Sequence, residues 1–251
     1  MLVIAGALRN RSQFKFALQL HETVYNAYMP QAIKAVLLTA FLSLFAAAGW
    51  CADDYVEKAP PHKHCPLTGS GQRGTKKVKQ DAYKNRWHPP LGSDFDSAVT
   101  IQALVQPGND RTRWSNQHAA RIRGYVAEVK QGTLGESCNC GANAPIDSDT
   151  HIAVVADSTT AQDKRTHVIV EVTPRLREAM AAQNPSVDWG TDALKKRLQG
   201  KHVEFEGWLF FDSSHTSEAM NTHPQDPKQN NWRATCWEIH PVTAIQVLDI
   251  L

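Results

Sequence analysis

No apolar run in this chain of 251 residues offers the roughly 20 residues that a comfortable bilayer span needs. The main apolar block, Ala35 to Ala48 (AVLLTAFLSLFAAA), falls short of it. A strong excess of one charge is missing too: Lys and Arg number 27 against 25 Asp and Glu. That balance argues against a generic polyanion binder. The chain has no internal repeat and no long low-complexity tract. Gly69, Gly71 and Gly74 spell G-x-G-x-x-G, but the preceding HKHCPLT is no buried strand. The dinucleotide reading requires one, so it is set aside. With 42% apolar and 21% charged residues, the composition suits a globular core rather than wholesale disorder.

What the apolar block does resemble is an export signal. Lys34 precedes it, small residues close it, and Asp53 and Asp54 follow. A positive start, a short apolar core and a small-residue exit make a secretory signal peptide. Cleavage falls after Ala48 or after Ala52. Met29 gives the signal an n-region of normal length, so residues 1–28 read as an upstream extension or a mis-set start, and 29–52 as the signal. Two alternatives stay open: a retained membrane anchor, and a lipoprotein using Cys51. Residues 1–52 carry Arg9, Arg11, Lys15 and Lys34 against Glu22, so removing them takes the formal charge from +2 to −1. The exported chain keeps no stable transmembrane segment.

Of five cysteines, Cys65, Cys138, Cys140 and Cys236 survive cleavage after Ala52. An even number in an exported chain predicts disulfides. Cys138 and Cys140 are too close to pair easily with each other, so one bond from each to Cys65 and Cys236 is expected, with the partners left open.

Residues 53–118 read as an irregular N-terminal arm, rich in Pro and Gly up to residue 90, with a short helix or strand at 94–106. Lys63, Arg73, Lys76, Lys77, Lys79, Lys84 and Arg86 against Asp81 make the stretch 63–86 locally basic. The plain reading is a solvated extension. Residues 119–251 alternate like strands at 122–129, 151–155, 167–173, 203–211 and 235–247, the last broken or bulged at Pro241. Asp188 to Leu198 predicts a helix, with Asp188 as N-cap and Gly200 as the stop. Three strands, a helix and two strands are the element order of an OB-type barrel. The fold class expected is therefore mainly β: a five-stranded OB-like barrel with a helix between strands 3 and 4 and an irregular N-terminal extension. GKHVEFEGWLFFD, followed by RATCWEIHPVTAIQV, also resembles exported bacterial proteins of uncharacterised function. That likeness implies an address and no activity.

Candidate chemistry sits on the strands. By period two, Asp149 and His151 share a face, as do His167, Ile169 and Glu171, and as do Cys236, Glu238 and His240. Adjacent barrel strands bring such faces together. Imidazole with carboxylate serves a divalent metal or a general acid–base pair. Candidate catalytic residues are His240, Glu238, His215 and His151. An outer barrel face is polar in any case, and Glu238 equally suits a salt bridge to Arg233. His215, Asn221, Pro224, Gln225, Asn231, Trp232 and Glu238 loosely resemble secreted metal-dependent endonucleases. By that likeness His215 activates water and Asn221 holds magnesium, making His215, Asn221 and His240 the candidate metal ligands. FDSS before His215 lacks that family's arginine and glycine, and the spacing to Asn221 is shorter. His62, Lys63, His64 and Cys65 offer a copper or zinc grip. Outward aromatics stack bases or sugars on barrel faces. Trp208, Trp232, Arg233, Lys76 and Lys77 are thus candidate ligand-binding residues, while Trp237 and Phe211 read as core.

Two functional expectations follow. One is an exported binding module for an oligomeric ligand, single-stranded nucleic acid or oligosaccharide, or for an envelope protein. The other is a secreted metal-dependent hydrolase, a phosphodiesterase or nuclease, using a His/Glu cluster on the barrel face. A divalent metal is the one cofactor either implies.

Overall fold

A computed structural model describes residue 62 and residues 64–225 and 230–248. The expected export signal lies outside the described residues. Among them, no helix is long and apolar enough to cross a membrane.

Five strands close into a barrel in the order β1-β2-β3-β5-β4. They are β1 (Ala119–Gln131), β2 (Thr150–Val155), β3 (Val168–Val172), β4 (His202–Phe211) and β5 (Trp237–Val247). β1 is long enough to serve two neighbours. Its first half pairs antiparallel with β4, from Ala119 opposite Trp208 to Tyr125 opposite His202. Its second half pairs antiparallel with β2, with a register shift between Val126 and Glu128. β3 meets β5 in parallel, Ile169 opposite Glu238, and that contact closes the barrel. The β-branched alternation read from the sequence supplies the core. Ile122, Val126, Ile152, Val154, Val168, Val170, Val172, Phe205, Leu209 and Ile239 are buried together. The expected irregularity near Pro241 is present as register shifts between β4 and β5. Gly207 permits it: a Cβ there would lie 2.7 Å from Ile239 and 2.9 Å from the Val242 backbone.

Two helices join β3 to β4. Thr173 caps α4 (Pro174–Gln183), and Pro174 occupies its first turn, where a missing N–H costs nothing. α5 (Thr191–Leu198) starts two residues later than expected. Asp188 is not its N-cap. Its carboxylate accepts from Gly190 N at 2.7 Å in a turn just ahead of the helix, and Gly190 takes the cap position. Leu176, Leu194 and Leu198 join the barrel core.

The N-terminal arm carries the short helix expected within 94–106 and more regular structure besides, with Arg73, Lys76, Lys77 and Lys79 exposed as in a solvated extension but Lys84 turned towards the barrel. It forms α1 (Lys76–Lys84), capped by Thr75, and two short helices, α2 (Ile101–Val105) and α3 (Asp110–Arg113). The arm is fastened to the barrel side by polar contacts. Asn85 donates to the carbonyls of Leu67 and Cys138 at 3.1 and 2.8 Å. Arg86 donates to the carbonyls of Asn116 and Leu209 at 2.6 and 2.7 Å. A Cys65–Cys140 disulfide ties its start to the loop after β1. The second expected disulfide does not form. Cys138 and Cys236 are buried free thiols facing different partners: Cys138 Sγ donates to Glu136 at 3.2 Å, and Cys236 Sγ lies 3.4 Å from Thr222 Oγ1.

Candidate functional site

The outward residues of β2, β3 and the first half of β5 are not solvated, because the arm and two loops cover them. Cross-strand register sets His151 opposite Glu171. It also sets Glu238 opposite Ile169, so His240, two residues on, comes beside Glu171. His151 Nε2 lies 3.0 Å from Glu171 Oε1, and His240 Nδ1 lies 3.2 Å from Glu171 Oε2. Asp149, just ahead of β2, approaches His240 Nε2 at 3.8 Å. Behind them Arg233 holds Glu238 at 2.7 Å. Arg233 and His240 are 0% exposed, Glu238 and Asp149 1%, and Glu171 3%.

A cleft of about 490 Å³ opens above this cluster. His151, Glu171 and Cys138 form part of its wall, while Lys84 and Asp212 stand across it. The Lys84 ammonium is 3.2 Å from Asp212 Oδ2 and 5.4 Å from the Phe210 ring centre. A smaller hollow of about 90 Å³ shares Lys130, His151 and Trp232 with the main cleft.

The electrostatics are those of charges held in low dielectric. Burial lifts Asp149 to about 7, against the pull of His240. Burial would lower His151, but Glu171 outweighs it and raises the imidazole to about 9. Burial would raise Glu171 as well, yet His151 and His240 together hold it well below the usual carboxylate range. Burial likewise opposes ionised Glu238, and the Arg233 guanidinium overcomes it, down to about 2. Lys84 is held well above its ordinary value: desolvation acts against the charge, and Asp212, Glu171 and Glu136 act for it more strongly.

Of the candidate catalytic residues, His151, Glu238 and His240 meet in this cluster. His215 stands on the cleft wall, its Nδ1 2.6 Å from Glu218 and its ring edge-on to Trp232. Asn221 is elsewhere. Its amide donates to the carbonyls of Leu104 and Gln106 and to Asp110, so His215, Asn221 and His240 do not form one metal site. The grip at residues 62–65 is also broken up, because His62 bonds Glu178 at 3.0 Å and Cys65 is in the disulfide.

Among the candidate ligand-binding residues, Trp232 and Lys77 line the cleft and Lys76 is exposed on α1. Trp208 is not a free stacking face. Arg86 lies 4.8 Å over its ring, and its indole N–H donates to His88 O at 2.9 Å. Arg233 is fully buried on Glu238 and presents nothing outward. Trp237 is core, as expected, and Phe211 packs against it with partial exposure. Lys84, Asp212 and Glu136 were not anticipated, since all three reach the cleft from segments with no apolar periodicity.

No protein family, curated protein or solved structure matches the chain. The functional reading therefore rests on the geometry of the cleft.

Proposed function

We propose that the protein is an exported hydrolase acting on phosphodiesters in the cleft outside β2, β3 and β5. One observation carries this reading: six ionisable side chains, Asp149, His151, Glu171, Arg233, Glu238 and His240, converge beneath an open cleft. Buried ion pairs are poor stabilisers, and apolar residues of similar volume would serve the fold as well or better. Perturbed groups gathered at a cleft are instead the mark of acid–base chemistry. His151 and Glu171 are the members of the cluster that reach the cleft, and Glu171 orients the His151 ring. Against burial, Glu171 raises the His151 pKa to about 9 and keeps the imidazolium charged. In this role His151 gives its proton to the ester oxygen as the phosphorus–oxygen ester bond breaks and a water oxygen bonds phosphorus. The neutral imidazole then takes up the proton that the attacking water releases. Lys77 and Lys130 on the cleft wall suit the substrate anion.

Export belongs to the same proposal. It is supported by the signal-like segment at 29–52, by the likeness of the last two strands to exported bacterial proteins, and by a disulfide of the sort secreted proteins keep. The test is an assay of the full chain on bis(p-nitrophenyl) phosphate and short oligonucleotides. Hydrolysis is expected, falling about 10²–10⁴-fold in His151→Gln with the circular dichroism spectrum unchanged. Absent turnover, or turnover undiminished by the substitution, contradicts the reading.

A second reading is favoured by Trp232, which stands between the main cleft and the smaller hollow. An oligomeric ligand, single-stranded nucleic acid or oligosaccharide, would lie along both and stack on that ring. It predicts binding without turnover, lost in Trp232→Ala.

A further inference from the structure

One arrangement at the base of the cluster is not accounted for by hydrogen bonding. His240 Nδ1 is bonded to Glu238 Oε2 at 3.3 Å, and Glu238 is fixed in turn by Arg233. The other ring nitrogen, Nε2, is fully buried without a hydrogen-bond partner. It points at Asp149 Oδ2 across 3.8 Å. That gap is too wide for a hydrogen bond. Two ligand bonds of about 2.0–2.2 Å to one ion would span it, since they reach up to roughly 4.3 Å. Glu171 Oε2 is a second buried atom with no hydrogen bond, its contact with His240 being an ion pair at 3.2 Å from Nδ1. Asp149, Glu171 and His240 each bring one donor atom, and the three atoms lie within 4.8 Å of one another.

We propose that Asp149, Glu171 and His240 form a binding site for a divalent first-row cation such as zinc or manganese. One imidazole and two carboxylates suit that class of ion. The supporting residues have the form expected around a metal. A ligating histidine donates its second N–H to a carboxylate, which fixes its tautomer and aims the free nitrogen. Glu238 does this here, and Arg233 keeps Glu238 ionised and in place. Entry is through the cleft, whose wall includes Glu171. Of the cations around the cluster, His151 holds Glu171 Oε1 at 3.0 Å and leaves Oε2 to an ion, and Lys84 is engaged by Asp212 at 3.2 Å and Glu136 at 3.8 Å. The ligand set differs from the one expected on the endonuclease likeness, because His215 and Asn221 take no part.

The inference shares its cluster with the proposed hydrolase but does not depend on turnover. Metal binding by an inactive protein would leave the site standing and the hydrolase overturned, whereas metal-free hydrolysis would do the reverse. The experiment is titration of the chelator-treated full chain with Zn²⁺, followed by X-ray absorption of the zinc-loaded protein. One equivalent is expected to bind, with a shell of one imidazole and oxygen donors. His240→Ala should abolish binding, and Glu238→Gln should weaken it about 10–100-fold. The absorption measurement is made on the unsubstituted chain, so it holds even where a variant fails to fold. No zinc bound, a shell without imidazole, or undiminished affinity in folded His240→Ala overturns the site.

Discussion

Arg233 shows what the buried cluster costs. Its side chain is 0% exposed and faces Glu238 at 2.7 Å. Removing one member of a buried ion pair strands the other in low dielectric. Arg233→Met should therefore destabilise the protein by about 3–5 kcal/mol, since Glu238 would be left charged in low dielectric without its guanidinium partner. Urea unfolding of the variant beside the unsubstituted chain measures it. The free thiols offer a second residue-scale test. Burial pushes Cys236 up to about 11, with Thr222 and Arg233 pulling the other way. Burial, and then the Asp149 charge, also raise Cys138 well above the ordinary thiol. A raised pKa means less thiolate than a free cysteine has at a given pH. Iodoacetamide at pH 8 should thus label neither residue in the folded chain, as read by peptide mass. Labelling of Cys236 should climb about tenfold per pH unit towards 11 as the thiolate fraction grows. Rapid labelling at pH 8 would contradict this environment.

At the scale of elements, the strands were legible because alternating Val, Ile and Phe leave few other ways to bury a face. Val168, Val170 and Val172 did turn inward, and the order of three strands, helices and two strands did close as an OB-like barrel. The same alternation marks the other face as polar, as it is, but does not say what covers it. An outer face is solvated only when nothing lies on it. Here Lys84 of α1 and the loops around Cys138 and Trp232 cover it, and these segments have no apolar period to announce them. α1 itself reads KKVKQDAYK, a surface-like sequence, yet Asp81 is 3% exposed and Lys84 turns inward. The cluster was therefore half visible: His151, Glu171, Glu238 and His240 follow from strand period, whereas Lys84 and Asp212 do not. Cysteine spacing alone also could not show that Cys65 meets Cys140 while Cys138 and Cys236 stay apart. Packing of the elements gives its own prediction. A Cβ on Gly124 of β1 would stand 2.6 Å from Val154, 2.7 Å from Ile101 of α2 and 2.7 Å from the Val155 carbonyl. Gly124→Ala should cost about 1–3 kcal/mol by overpacking. An unchanged urea midpoint would mean that α2 does not seat against β1 in this way.

The whole molecule separates two kinds of interior. Inside the barrel the core is apolar and closed by the leucines of α4 and α5. Outside it, between the strands and the arm, lies a second interior made of charges. A disulfide 75 residues in span and the hydrogen bonds of Asn85 and Arg86 hold the arm over it. The first interior supplies the apolar burial that drives folding, and the second lies beside the cleft. The measurement that tests this division most directly replaces part of the charged interior with apolar volume. Arg233→Met combined with Glu238→Leu should leave stability unchanged or raise it by about 1–4 kcal/mol, because no charge is stranded. Hydrolysis of bis(p-nitrophenyl) phosphate by the full chain should be lost in the same protein. Hydrolysis that survives the double substitution would contradict the account, because the buried charges would then serve neither the fold nor the chemistry.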